Sequence, residues 1–322
     1  MIFGTGPLGQ AVMRELVKRG KPVRMVNRSG QAPAAVPTLA ADVYNLDSAR
    51  QAAQGATVVY QCVNAPYHQW PEKFPALQAN IMASAINVGA KLIVADNLYM
   101  YGEVDGPLHE GLPNAAHTRK GRVRAQMAEA VLAAHQRGEV RVAIGRGSDF
   151  FGPGVLDSVA GERMFGPAVQ GKAAECIGNI DLLHTYTFID DFGRALVTLG
   201  EHDEALGQVW HVPNAETITT REFMALIFKE LGLPPKITAM GRPMLWVGGL
   251  FIPAAREVWE MLYEFEKPFL VDHYKFGHTF GDLATPHREA IRQTLAWYRE
   301  RLSANKPQPV KPVSASAPQK IY

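Results

Sequence analysis

Gly4-Thr5-Gly6-Pro7-Leu8-Gly9 follows the apolar Met1-Ile2-Phe3 and opens an amphipathic run from Gln10 to Arg19. The spacing predicts a short strand, a tight turn and a helix, the context that a dinucleotide-binding glycine loop needs. Gly4 permits the sharp turn. Gly6 lets the backbone approach a pyrophosphate with no side chain between them, and Gly9 lets the helix lie close on the strand. The free N–H groups and positive dipole end of the helix then face the phosphates, with Thr5, Pro7 and Leu8 completing the cradle.

Next outward, Pro22 to Val26 reads as a second strand, with Asn27-Arg28-Ser29 at its C-terminal end, where an adenosine ribose would be met. No Asp or Glu stands there to accept from a ribose 2′-hydroxyl. Arg28 offers instead a guanidinium fork suited to a 2′-phosphate, so NADP(H) is the preferred cofactor and NAD(H) stays open. Strands over Thr38–Val43, Ala56–Cys62, Lys91–Ala95 and Val140–Ile144 alternate with helices over Asp47–Gln54, Asn80–Asn87 and Arg122–Gln136. Such alternation predicts an α/β, doubly wound parallel sheet with right-handed crossovers.

Beyond Gly145 the pattern changes: Gly147, Gly152, Pro153, Gly154 and Gly161 break the chain into loops. Helices are expected over Asp190–Leu199, Thr220–Leu231 and Pro253–Tyr263. Residues 1–150 are therefore expected to form the dinucleotide-binding domain, with the chain returning to it near 182–199, and 151–302 mainly a smaller C-terminal substrate domain. Residues 303–322 carry Pro307, Pro309, Pro312 and Pro318 among Lys, Ser and Ala, too little apolar content to pack, and are expected to be a disordered tail.

A chain of 322 residues suits one large or two smaller domains. A formal charge of +2 gives no general attraction for nucleic acid or a membrane surface. The longest apolar stretch, Pro243 to Pro253, is too short to span a bilayer. Cys62 and Cys176 make neither a disulfide framework nor a metal-ligand cluster, so no metal and a reducing, cytoplasmic compartment are expected. Met1 runs straight into the first strand, so no signal peptide is expected. The partner left by these exclusions is a small-molecule substrate.

From Gly4 to about Arg301 the chain resembles the extended short-chain dehydrogenase/reductases, the NAD(P)-dependent epimerase/dehydratase group. Beyond the glycine loop, Asp42-Val43 looks like that family's adenine-contacting acidic position. Val63-Asn64-Ala65, after Cys62, falls on its strand-four cofactor loop, and Asn80 on its helix asparagine. Tyr101-Gly102, Gly145-Arg146-Gly147 through Phe151-Gly152-Pro153-Gly154, Tyr186 to Asp191, and Trp297-Tyr298 match further landmarks in order. The resemblance implies a Rossmann-type fold, oxidoreductase chemistry on a bound NAD(P), and pairing of two copies into a homodimer.

The family's chemistry rests on a Ser or Thr and a Tyr-x-x-x-Lys pair. Here the serine position falls on Asn97, the tyrosine on Lys120 and the lysine on Arg124. On the opening turns of one helix, Lys120 and Arg124 share a face. Arg124 is expected to hold a ribose hydroxyl or a phosphate. Lys120, which also falls in the cofactor-contact set, is expected to be pushed toward its neutral form by Arg124, an oxidised nicotinamide and burial, and so to carry a proton to a carbonyl oxygen receiving hydride. Asn97 would donate to the developing oxyanion, and Tyr99 is a second candidate acid. Against this stands a plain alternative, a solvated basic helix start formed by Arg119, Lys120, Arg122 and Arg124. His184 and His273 fall in the substrate half, and Trp246, Phe251, Trp259, Met261, Tyr263 and Phe265 form either an apolar pocket wall or core. The reading is an NADP(H)-dependent oxidoreductase that reduces a small-molecule carbonyl or oxidises the alcohol. The alternatives are an epimerase/dehydratase working on a (nucleotide) sugar through transient oxidation, and a non-catalytic NADP(H)-binding regulator.

Overall fold

The computed structural model describes residues 1–31, 36–242 and 259–304. The first half alternates strand and helix: β1 (Ile2–Phe3), α1 (Pro7–Lys18), β2 (Met25–Asn27), β3 (Thr38–Ala40), α2 (Leu46–Ala53), β4 (Val58–Gln61), α3 (Trp70–Val88), β5 (Lys91–Asp96), α4 (Arg119–Gln136) and β6 (Arg141–Arg146). The second half contains β7 (Asp149–Phe151), α5 (Glu162–Val169), β8 (Ala174–Ile177), β9 (Leu183–His184), β10 (Tyr186–Phe188), α6 (Ile189–Glu201), β11 (Val209–His211), β12 (Ile218–Thr219), α7 (Thr220–Leu231), β13 (Ile237–Met240), α8 (Tyr274–Phe280) and α9 (His287–Ala304).

A seven-stranded parallel sheet in the order β11-β6-β5-β4-β1-β2-β3 forms the centre. Alternation along each strand sends side chains to two layers. Phe3, Val59, Leu92, Val142 and Ile144 pack with α2, α3 and α4, while Ile2, Met25, Tyr60, Ile93 and Ala143 pack against α1 and α6. This is the Rossmann-like α/β architecture the alternation predicts. The strand order reverses between β1 and β4, and the crevice beyond their C-terminal ends is where such sheets bind ligands.

Several boundaries differ from the sequence reading. The second strand starts at Met25, not Pro22, whose missing N–H cannot join a ladder. The first turn of α4 begins at Arg119, which puts Lys120 inside the helix. Val209–His211, too short to show a period, supplies the seventh strand by pairing with β6. Phe276 on α8 is buried in the same cluster as Trp210 of β11. The chain thus comes back to the sheet through α6, β11 and α8, not only near 182–199.

The remaining elements build a second core in which Phe151, Phe165, Tyr186, Phe223, Ile291 and Tyr298 meet. A capping box between Thr219 and Glu222 starts α7, and Gly232 in the left-handed region ends it. Ser303, expected to open a disordered tail, lies in the last turn of α9, where its Oγ donates to Glu300 O at 2.8 Å. The rest of that tail lies outside the described residues. So does most of the expected Pro253–Tyr263 helix; its described end passes into a 3₁₀ turn at Leu262–Phe265. Trp246 and Phe251 lie outside too, whereas Met261 and Phe265 are buried and Trp259 is exposed.

Candidate functional site

The glycine loop has the shape of a phosphate cradle. Gly4 sits at φ +109°, and a Cβ there would lie 2.7 Å from Val63 N, so β1 and the loop after β4 touch through bare backbone. A Cβ on Gly9 would fall 2.1 Å from Gly4 O, so only glycine lets α1 start this close to the strand. Gly6 caps α1 without a side-chain bond, and a Cβ added to it would meet nothing within 4 Å. Open space therefore faces the backbone N–H groups and the positive end of α1, as a pyrophosphate requires. These residues fit a dinucleotide.

The adenosine side is held together by short polar links. Asn27 Nδ2 donates to Thr5 Oγ1 at 3.1 Å and to Gln31 O at 2.9 Å, while its Oδ1 accepts from Gly30 N at 2.6 Å. Asn27 thus builds the turn, and Ser29 Oγ joins it by donating to the same Oδ1. Arg28 stands exposed on that turn. Asp42 is exposed and its Oδ1 accepts from Tyr44 N, whereas Val43 O accepts from Asn80 Nδ2 at 3.0 Å. Asn80 therefore ties α3 to the loop after β3. Asn64 is exposed, and Ala65 O accepts from Trp70 Nε1 at 3.0 Å, fixing the loop after β4.

Lys120 and Arg124 are both buried on the inner face of α4, while Arg119 and Arg122 are exposed. The solvated-helix alternative is thereby excluded for the first two. Arg124 is engaged with a carboxylate: its Nε donates to Asp96 Oδ1 at 2.8 Å and Nη2 binds the same oxygen and Ala95 O. Its remaining nitrogen, Nη1, is buried with no hydrogen-bond partner. Its two N–H groups are the donors Arg124 has left. Arg146 Nε donates to Asp96 Oδ2 at 3.1 Å, completing an Arg–Asp–Arg triad whose side chains are 3–4% exposed. Arg146 lies 4.9 Å over the Tyr101 ring, and Tyr101 Oη meets His211 Nε2 at 2.8 Å. Burial drives the His211 imidazole down to about 3. Its Nδ1 faces Asp272 O, which can only accept, so Nδ1 carries the proton and Tyr101 Oη donates to Nε2.

Lys120 meets not an isolated amine's surroundings but a carboxylate. Its Nζ donates to Glu260 Oε2 at 2.9 Å and its backbone N to Glu260 Oε1 at 2.8 Å, and Nζ sits 4.5 Å over the Tyr67 ring. Burial pushes the Glu260 carboxyl up, and the bonds from Lys120 more than offset it, leaving it below the usual carboxylate value. Lys120 is thus paired with a carboxylate inside the fold. Asn97 Oδ1 accepts from Tyr99 N at 3.2 Å, which turns the amide nitrogen away from that bond and leaves it as a donor. Tyr99 Oη is 3.4 Å from Tyr67 Oη, and burial raises both phenols.

Sequence reasoning missed most of the second lobe's share. Beyond burial, which is the larger cause, Glu264 and Asp149 raise the Tyr67 and Tyr99 phenols electrostatically, and Glu260 adds to the effect on Tyr67. Asp149 Oδ2 accepts from His184 Nε2 at 2.9 Å, with the imidazole stacked on Phe265 and Phe269. Glu264 Oε1 and Tyr263 Oη are buried with no hydrogen-bond partner. Burial first, then Asp149, lifts the Glu264 carboxyl well above its ordinary value. A carboxyl raised in the fold contributes stability that is full below about pH 4.3 and is lost as pH rises through the folded value, at up to about 1.4 kcal/mol per pH unit. Glu264→Gln removes that loss. The melting temperatures of variant and wild type should agree near pH 4.3, and the variant should lead increasingly toward pH 8. A gap that stays constant with pH would contradict it.

Among the described residues no group of His, Cys, Asp and Glu is placed to hold a metal, and no helix is long and apolar enough to cross a membrane. Solved structures share the fold over most of the chain. MoeE5 in complex with UDP-glucose and NAD aligns with a TM-score of 0.76 at 19% identity, covering 94% of this chain and 98% of its own. The UDP-glucose 4-epimerase of Thermus thermophilus in complex with NAD gives 0.74 at 17%, covering 92% and 98%. The UDP-glucuronic acid 4-epimerase of Bacillus cereus in complex with NAD gives 0.75 at 14%, covering 95% and 98%. No curated protein sequence matches the chain. The model of the family described as "NAD dependent epimerase/dehydratase family" matches residues 3–212, a span that holds the glycine cradle, Asn97, Lys120, Arg124 and β11. The chain belongs to the NAD dependent epimerase/dehydratase family.

Proposed function

We propose that the protein is a nicotinamide-dinucleotide-dependent oxidoreductase of the epimerase/dehydratase type, acting on a carbinol or carbonyl of a sugar-like small molecule through transient oxidation. The observation that carries this reading is the pairing of the buried Lys120 with the part-exposed Glu260. Transient oxidation needs one group that takes a proton from a hydroxyl and later returns it, in a site closed to water. Lys120 Nζ serves both directions, giving the proton as an ammonium and taking it as an amine. The bound dinucleotide supplies the acceptor and donor of hydride. Gly4 to Gly9 hold its phosphates, and the two N–H groups of Arg124 Nη1 are available to its ribose. Asn97 donates to the substrate oxygen as charge builds there. Tyr67, on the part-exposed turn after β4, is the contact a substrate oxygen displaces to reach Lys120 Nζ.

The test is single turnover of the dinucleotide-loaded protein with UDP-glucose, UDP-glucuronic acid, free sugars and simple ketones, followed at the nicotinamide absorbance. Transient reduction of bound NAD(P)⁺ with isomerised or dehydrated product is the expected result. Net, stoichiometric oxidation of NAD(P)H by a ketone would favour plain carbonyl reduction. No reaction with any of them would overturn the proposal.

Cofactor choice is a finer proposal resting on Arg28. Its exposed guanidinium, presented by the Asn27 turn, favours NADP(H) over NAD(H). A charge-assisted hydrogen bond contributes about 1.5–3 kcal/mol, so calorimetry should give NADPH an affinity advantage of about 10–100-fold that Arg28→Ala removes. Equal affinities in the wild type would contradict it.

A further inference from the structure

The Lys120 side chain is wholly buried, so a proton it gives to a substrate oxygen cannot be restored by water directly. Glu260 can restore it. Its carboxylate is 21% exposed, bonds Nζ at 2.9 Å, and reaches Lys120 from a position 140 residues further along the chain. With Oε1 on the backbone N of Lys120 and Oε2 on Nζ, the carboxylate is fixed by two bonds to one residue. Resting on the reading above, we infer that Glu260 is a positioning and proton-relay residue, connecting the buried ammonium of Lys120 to solvent.

In the reducing direction hydride adds to the carbonyl carbon and the oxygen takes a proton from Lys120 Nζ, which becomes an amine. Glu260 takes a proton from water and passes it to Nζ, ending again as a carboxylate. The sum is a carbonyl, one hydride and one solvent proton giving an alcohol, and the oxidising direction reverses each transfer. Among the described residues, the titratable groups around the pair are Tyr67 after β4, Tyr99 after β5, Asp149 on β7, and Tyr263 and Glu264 of the second lobe; Arg124 stands one turn along α4. The phenols are raised by burial, which keeps them protonated and outside the relay near neutral pH.

Exchange of the Lys120 Nζ protons with solvent, measured by nitrogen-15 NMR on the full-length protein labelled at lysine, tests the inference without any substrate. A relay predicts that Glu260→Gln, which keeps an acceptor for the backbone N, slows exchange about tenfold or more, and that Glu260→Asp falls between. A purely structural pair predicts the opposite, because loosening it admits water and speeds exchange. Unchanged or faster exchange in Glu260→Gln, at a melting temperature near that of the wild type, overturns the relay. If Glu260→Gln melts early, the decision passes to Glu260→Asp, where exchange at or above the wild-type rate overturns it. With a reactive substrate from the panel, Glu260→Gln should also flatten the pH–rate profile while leaving dinucleotide affinity in place. Failure of every substrate strikes the proposed function, whereas wild-type exchange strikes only the relay.

Discussion

Lys120→Met should slow dinucleotide-dependent turnover by about 10²–10⁴-fold, the usual contribution of a positioned general acid. Methionine keeps the volume and apolar stem that pack beneath the Tyr67 ring and removes only the ammonium. On the proposed reading Gly4 to Gly9 and not Lys120 hold the phosphates, so dinucleotide affinity should change far less than the rate. Glu260 keeps its bond from the backbone N of residue 120, is part-exposed and can be solvated, which keeps the fold intact. Single-turnover kinetics beside a dinucleotide titration separate the two effects. A wild-type rate in Lys120→Met would move the proton to Tyr99, whose raised phenol is the next donor in the crevice.

Asp96→Ala should be the most damaging single change to stability. Asp96 lies at the end of β5 and accepts from both Arg124 and Arg146, and all three side chains are almost fully buried. Removing one partner of a buried ion pair costs about 3–5 kcal/mol, because the charge left behind has no water to turn to. Here two guanidiniums are left. At about 1.5 °C per kcal/mol for a chain of 322 residues, the melting temperature should drop by about 4–8 °C. Asp96→Asn keeps an acceptor and should fall less. Thermal unfolding followed by circular dichroism checks both, and a shift under about 3 °C in Asp96→Ala would show the triad to be better hydrated than its burial implies.

The parts of this molecule that depend on neighbours in sequence were legible before the structure. Gly4 to Gly9 declare themselves because turn, cap and helix fall within a few residues. The alternation of strands and helices gave the parallel sheet by the same local logic. Val209–His211 escaped notice because three residues carry no period, and only pairing with β6 makes them a strand. The resemblance led to Asn97, Lys120 and Arg124, but their partners were hidden for different reasons. Glu260 meets Lys120 across 140 residues, a contact no local pattern encodes. Asp96 sat beside Asn97 in plain view, yet an acid at a strand end reads as an ordinary loop residue until two arginines are seen to close on it. Lys120 and Arg124 looked like a charged surface because burial of a basic run is a property of what packs over it.

The return of the chain to the central sheet has a consequence for how the protein is made. When the ribosome has finished β6, that strand is a bare edge, with backbone N–H and C=O groups and the apolar Ile144 awaiting β11. The distance from Arg146 to His211 along the chain means about 3–13 s of further synthesis at 5–20 residues per second before the edge is covered. Phe276, which packs beside Trp210, emerges later still. A nascent chain halted between these points carries a template for strand addition. Aggregation of prematurely terminated products, and dependence on chaperones during translation, should therefore concentrate in chains ending between β6 and β11.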